Sequence, residues 1–201
     1  PVHDFDEMPD ARGGRRLVLC MKRIRGRDLG TLLGAIKRGE PDAQRWTRAR
    51  LLAMFQDVCL GIAYAHSKGV LHRDLKPQNV MLTNKPGRQD IVKVVDFGIA
   101  KITTNTPEDQ GALTVPGTIF GTPEYMSPEQ ARGETLDPRS DLYSAAVVLW
   151  HLLLGRSPFR GNSVRETLLK VFAEEPPTAP PDRPAGPVPP DGTAFSYQRS
   201  A

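Results

Sequence analysis

The sequence predicts an α+β fold, mostly helical with short antiparallel hairpins. Three observations carry that expectation. Apolar residues recur at helical spacing in several segments. Two other regions hold short or alternating apolar runs around turn residues. Glycine or proline punctuates the ends of most segments.

Val2 to Glu7 alternates apolar and polar residues, as a half-buried strand does. Asp10 to Gly14 supplies turn chemistry, and Leu17 to Ile24 resumes as a strand, so the two form a hairpin. Gly26 breaks that run. Leu29, Leu32, Leu33 and Ile36 then share one helical face, and Gly39-Glu40-Pro41 stops the helix. A longer helix is expected from Thr47, an N-cap, with Leu51, Met54, Phe55, Val58, Ile62 and Ala65 inward and Gly69 as its cap. Val80 to Thr83 and Ile91 to Val95 form a second hairpin about Asn84 to Gly87. Residues 101 to 120 read as a long functional loop. Asp141 to Leu154, capped by Gly155, is apolar on most sides and is expected in the core. Val164 to Ala173 is a last amphipathic helix.

Composition narrows the class. The chain has 201 residues, 39% hydrophobic and 25% charged, which allows a sizeable core and excludes wholesale disorder. Proline is concentrated: eight of the 19 lie between Pro176 and Pro190, which marks residues 176–201 as an extended linker or tail. The formal charge is +4, and seven basic residues crowd between Arg12 and Arg27. Such a cluster suits a nucleic-acid patch or a solvated edge, and the solvated edge is preferred. Cys20 and Cys59 lie in apolar runs, show no metal or disulfide spacing, and are expected as small core residues of a cytoplasmic protein. No apolar run is long enough to span a bilayer.

Three segments carry chemistry: His72-Arg-Asp-Leu-Lys-Pro-Gln-Asn79, Asp96-Phe-Gly98 and Gly121-Thr-Pro-Glu-Tyr-Met-Ser-Pro-Glu129. Asp74, Asn79 and Asp96 offer hard oxygen donors suited to Mg²⁺ bound together with substrate phosphates. A carboxylate off the metal can orient a hydroxyl, and Lys76 can neutralise a transferred phosphoryl group.

These segments, in this order and with a hairpin between the first two, resemble a eukaryotic-type serine/threonine protein kinase of the kind common in bacteria. The resemblance implies a protein-kinase-like fold, mostly the helical C-lobe with a remnant N-lobe hairpin. It implies Asp74 as catalytic base, and Asn79 and Asp96 as Mg²⁺ ligands. Lys76 and Thr122 match the Ser/Thr-type pattern, with Thr122 bonded to the catalytic Asp–Lys pair. Met21 resembles the gatekeeper, Lys22 to Ile24 the hinge that meets adenine, and Met81 the adenine floor. His72, Arg73, Phe97, Gly98, Glu129 and Asp141 take structural or regulatory roles, with Asp141 holding the catalytic loop. Thr114 and Thr118 are the leading phosphosites, ahead of Thr103, Thr104 and Thr106. ATP and Mg²⁺ are the implied cofactors, and Ser/Thr-bearing proteins the substrates. A kinase dimer for trans-phosphorylation is compatible with it.

The resemblance spans residues 1–175: strands and hinge over 1–25, and C-lobe over 26–175. Within the chain no glycine-rich loop precedes a strand, no Val-Ala-x-Lys lysine follows, and Glu129 has no evident arginine partner. The 201-residue piece alone is therefore expected to be inactive. Two classes stay open: a Ser/Thr kinase, or a non-catalytic kinase-like module for binding or scaffolding. Nucleic acid is not an expected partner.

Overall fold

A computed structural model describes residues 2–9, 14–97 and 122–173. Strands β1 (Val2–Pro9) and β2 (Arg15–Met21) pair antiparallel, with Phe5 opposite Leu19 and an irregularity between Val2 and Asp4. The second strand stops at Met21, short of Ile24, and residues 22–25 have no regular structure. A second sheet has the order β3-β4-β5, from Arg27–Asp28, Val80–Lys85 and Arg88–Val94. Its hairpin closes at Pro86-Gly87, so both strands run further into the turn than the apolar runs alone predict.

Five helices complete the described fold: α1 (Leu29–Lys37), α2 (Arg48–Ser67), α3 (Pro128–Arg132), α4 (Pro138–Leu154) and α5 (Val164–Ala173). Local chemistry explains their starts. The Asp28 carboxylate accepts from the Thr31 amide at 2.8 Å and caps α1. The Thr47 hydroxyl accepts from the Arg50 amide and caps α2, as expected. Ser127 and Gln130 form a reciprocal capping box at α3. The fourth helix starts three residues earlier than its apolar run, because Asp137 caps it and Pro138 occupies its first position. It ends at Gly155, whose φ of 71° is the left-handed conformation that glycine adopts without steric cost.

One core joins these elements. Leu29, Leu32 and Ile36 of α1 meet Leu51, Met54, Val58 and Ile62 of α2, Val148 and Leu152 of α4, and Leu75 and Val80 near the second sheet. Each fully buried leucine there contributes about 2 kcal/mol. Two expectations need correction. Cys20 and Cys59 are exposed, not core. The inward positions of α2 follow Val58 and Ile62, and Cys59, one residue on from Val58, turns about 100° away. Likewise α4 is not buried all round: Leu142 is 58% exposed while Asp141, Ser144 and Val148 face inward. Among the described residues, no helix is long and apolar enough to cross a membrane.

Gly26 lets the chain pass close to β4. A Cβ built there would lie 2.1 Å from the Leu82 carbonyl oxygen. Gly26→Ala should therefore part β3 from β4 and lower stability by about 1–3 kcal/mol, read from a urea melt. An unchanged midpoint would refute the close approach.

Candidate active site

The segment from His72 to Asn79 leaves α2 and is shaped by one buried carboxylate. Asp141, 2% exposed in the first turn of α4, accepts from the His72 amide at 2.7 Å and the Arg73 amide at 2.8 Å. The same carboxylate meets His66 Nε2 at 2.7 Å, at the last turn of α2. On the far side, Gln130 Nε2 donates to the Arg73 carbonyl at 2.5 Å. Both peptide groups of Arg73 are thus held, and its φ is 65°. A left-handed arginine costs on the order of 1 kcal/mol and persists only where its surroundings over-determine it.

His72 is fully buried. Its Nδ1 accepts from the Asp74 amide at 3.2 Å, so Nε2 carries the proton and donates to the Val95 carbonyl at 3.0 Å. Burial lowers its pKa, against the pull of the Val95 carbonyl and the nearby carboxylates, which favours this neutral tautomer. The ring also lies 4.6 Å from the Phe97 ring. His72 therefore connects the first motif to the second. Asp96 lies between Val95 and Phe97 with φ 58°, exposed.

The Asp74 carboxylate is held from two sides. Lys76 Nζ donates to Oδ2 at 2.7 Å. Asn79 Nδ2 donates to the Asp74 carbonyl at 2.7 Å and to Oδ2 at 3.1 Å. Asn79 is buried and so placed by the turn at Pro77–Asn79, whereas Asp74 stays accessible. Both bonds fall on Oδ2, and among the described residues no hydrogen bond occupies Oδ1. These bonds use the Asn79 amide nitrogen and not its side-chain oxygen, and Asp96, next to the Val95 amide that donates to the Asn79 carbonyl at 2.9 Å, is exposed. Oxygen donors of this kind suit Mg²⁺ completed by phosphates and water. Among the described residues, no group of three His, Cys, Asp or Glu forms a complete metal cage.

The third motif is tied to α4. Glu129, for which the sequence offers no arginine partner, accepts from the Ser140 hydroxyl at 2.6 Å. Burial raises the Glu129 pKa, but bonds from Ser140, its own amide and Ser127 outweigh it and hold the carboxyl below its ordinary value. Tyr125, buried, shares a hydrogen bond of 2.7 Å between its hydroxyl and His151 Nδ1, and its carbonyl accepts from the Ser144 hydroxyl. Thr122 makes no side-chain bond to Asp74 or Lys76 among the described residues, so the bonding expected of it is not formed here. Lys22 is exposed and Ile24 half-buried beside β3, and Met81 pairs with Asp28 across the sheet. Met21 ends β2. Gly98, Thr103, Thr104, Thr106, Thr114 and Thr118 lie outside the described residues, as does the tail.

All three motifs lie within a stretch that matches a known family. The model of the protein kinase domain matches residues 10–182. The chain belongs to the protein kinase family. It is 42% identical over 184 residues to the serine/threonine-protein kinase pkn3 of Myxococcus xanthus, covering 90% of this chain and 31% of that protein. It is 36% identical over 183 residues to PknA of Mycobacterium tuberculosis, covering 91% and 39%. To PknB of Mycolicibacterium smegmatis it is 40% identical over 134 residues, covering 67% and 20%. The chain thus spans about a third of the length of the first two of these kinases.

The sequence singles out Asp74 and Asn79 in a motif and Asp141 through the resemblance, but not His66, Gln130 or His151, which the structure bonds to the same region. His66 had one visible signal, a basic residue in the last turn of a helix beside the motif. Gln130 was visible as the fourth residue of a capping box. Nothing local marks His151.

His151 makes the fold sensitive to acid. Burial first, then the charges of Arg160 and Lys37, lower its pKa from 6.5 to about 4. Between those values the unfolded chain binds a proton that the folded chain refuses. Its contribution is complete above about pH 6.5 and is lost as pH falls toward 4, by up to about 3 kcal/mol. Buried His72 acts in the same direction. Thermal melts across this range should show the decline, and His151→Gln should flatten it. An equally steep decline in that variant would refute the assignment.

Proposed function

We propose that this kinase-family chain serves transfer of the ATP γ-phosphoryl group to Ser or Thr hydroxyls of proteins. The observation that supports this best is the Asp74 carboxylate held through one oxygen by Lys76 and Asn79, with the other oxygen unbonded among the described residues. Asp74 orients the substrate hydroxyl and receives its proton as the new O–P bond forms and the bond to the β-phosphate oxygen breaks. Lys76 stands beside Asp74 and neutralises charge developing on the moving group. Asn79 and Asp96 would hold the metal through oxygen. Magnesium ATP, when bound, supplies the phosphoryl group and the cation.

The remaining roles follow the same reading. Met21, Lys22, Ile24 and Met81 border adenine, and Thr122 approaches the Asp74–Lys76 pair with substrate bound. His72, Phe97, Gly98 and Asp141 keep the loops in register, and Glu129 anchors the third motif. Arg73 pairs with a phosphorylated Thr114 or Thr118, delivered in trans by a second kinase copy in the cytoplasm. Residues 1–175 act as kinase domain, with 26–175 as the C-lobe, and 176–201 as linker.

The test is Mg²⁺-dependent transfer from γ-labelled ATP to a protein substrate by the full gene product, with phosphoserine and phosphothreonine identified in the product. Asp74→Asn is its control. Transfer that survives this substitution undiminished would overturn the reading.

A further inference from the structure

The charge of this protein is concentrated beside the Asp74 loop. Between Lys22 and Glu40 there are six basic residues and only two acidic ones. Both acids are engaged. Asp28 accepts from the amide and hydroxyl of Thr31. Glu40 accepts from Arg38 at 2.8 Å and lies 3.7 Å from Arg27. Lys22, Arg23 and Arg25 are exposed, and among the described residues no ion pair engages them.

The fold sets this run along the catalytic segment. Arg27 and Asp28 pair with Leu82 and Met81, and Gly26 lies against the Leu82 carbonyl. One residue before Asn79, the Gln78 side-chain amide lies over Gly30 and beside Asp28. At Gly26 and Arg27 the chain therefore runs beside β4, and at Gly30 it meets Gln78 of the loop that carries Asp74; Arg23 and Arg25 immediately precede this contact. The loop's own contribution to this edge is an uncharged amide, and Asp74 itself is paired with Lys76.

We propose that Arg23, Arg25 and Arg27 form a rim that selects protein substrates whose Ser or Thr is flanked by aspartate or glutamate. The inference rests on the phosphoryl-transfer reading for its location: a hydroxyl delivered to Asp74 brings its flanking residues along this edge. Surface cations, free as at Arg23 and Arg25 or loosely paired as at Arg27, contribute little within the fold, but they steer and discriminate charged partners. The rim spans one short segment, which matches a few acidic side chains.

The test is peptide binding, which needs no turnover. A fluorescent serine peptide flanked by Asp and Glu is compared with its Asn and Gln counterpart by anisotropy. The 201-residue chain is used in low and moderate salt. The acidic peptide should bind about tenfold more tightly, and salt should erode the difference. Arg23→Glu with Arg25→Glu should abolish the preference, and the paired Lys substitutions should keep it. Equal binding of both peptides, no binding of either, or a preference that survives charge reversal would overturn the proposal. So would a single-stranded oligonucleotide that displaces the acidic peptide at lower concentration, which would make the rim a nucleic-acid site. An acidic preference without phosphate transfer in the full gene product would uphold the rim and refute the activity. Transfer with no acidic preference would do the reverse.

Discussion

Asp74→Asn in the full gene product should lower the proposed phosphate transfer by about 10²–10⁴-fold without unfolding the protein. The substitution keeps the shape of the side chain. Its amide oxygen can still accept from Lys76 Nζ and Asn79 Nδ2, which now hold Oδ2 at 2.7 and 3.1 Å. Asp74 is accessible, so no buried charge is removed. What is lost is the second carboxylate oxygen as a proton acceptor, replaced by an NH₂ group that can only donate. ATP affinity should stay near its original value, because Asp74 does not border the nucleotide in this reading. The expected signature is a fall in kcat with the KM for ATP little changed and a thermal midpoint within a few degrees. A wild-type rate would remove Asp74 from the chemistry. A collapsed midpoint would show that its role is structural.

The fold was legible where local rules agree. In α1 and α2 the apolar spacing and the closing glycine, and in α2 also the Thr47 cap, all indicate one helix, and the structure follows them closely. The start of α4 was misjudged because its first turn is polar: Pro138 and Ser140 carry no hydrophobic signal, though Asp137-Pro138 is itself a start. The cysteines were misjudged because an apolar neighbourhood in sequence does not say which way a helix position points. The site was legible through its motifs, which are local. Its supports are not: Asp141 lies 69 residues from His72, and Tyr125 lies 26 from His151. Such pairs exist only once the helices have packed. The left-handed φ of Arg73 is equally invisible in the residue type, which argues against it.

Those distant supports lead to the largest effect on the fold. Asp141→Ala should cost about 3–5 kcal/mol and abolish activity together. Three donors converge on this carboxylate: His66 Nε2 and the His72 amide on Oδ2, and the Arg73 amide on Oδ1. Truncation leaves these donors without their acceptor in a buried place, where an unsatisfied amide costs about 1–3 kcal/mol. It also releases Arg73 from one of the two bonds that keep it left-handed, and the loop would relax away from the position that presents Asp74. Asp141→Asn separates these effects. It keeps the volume and one oxygen, but its NH₂ group faces a donor, so one bond becomes a repulsion. That variant should fold, with hydrogen exchange at the His72 and Arg73 amides about tenfold faster or more, a change of about 1.4 kcal/mol. Its kcat should fall while the KM for ATP holds. Unchanged exchange at these two amides would show that Asp141 does not hold the loop, whatever became of the melting temperature.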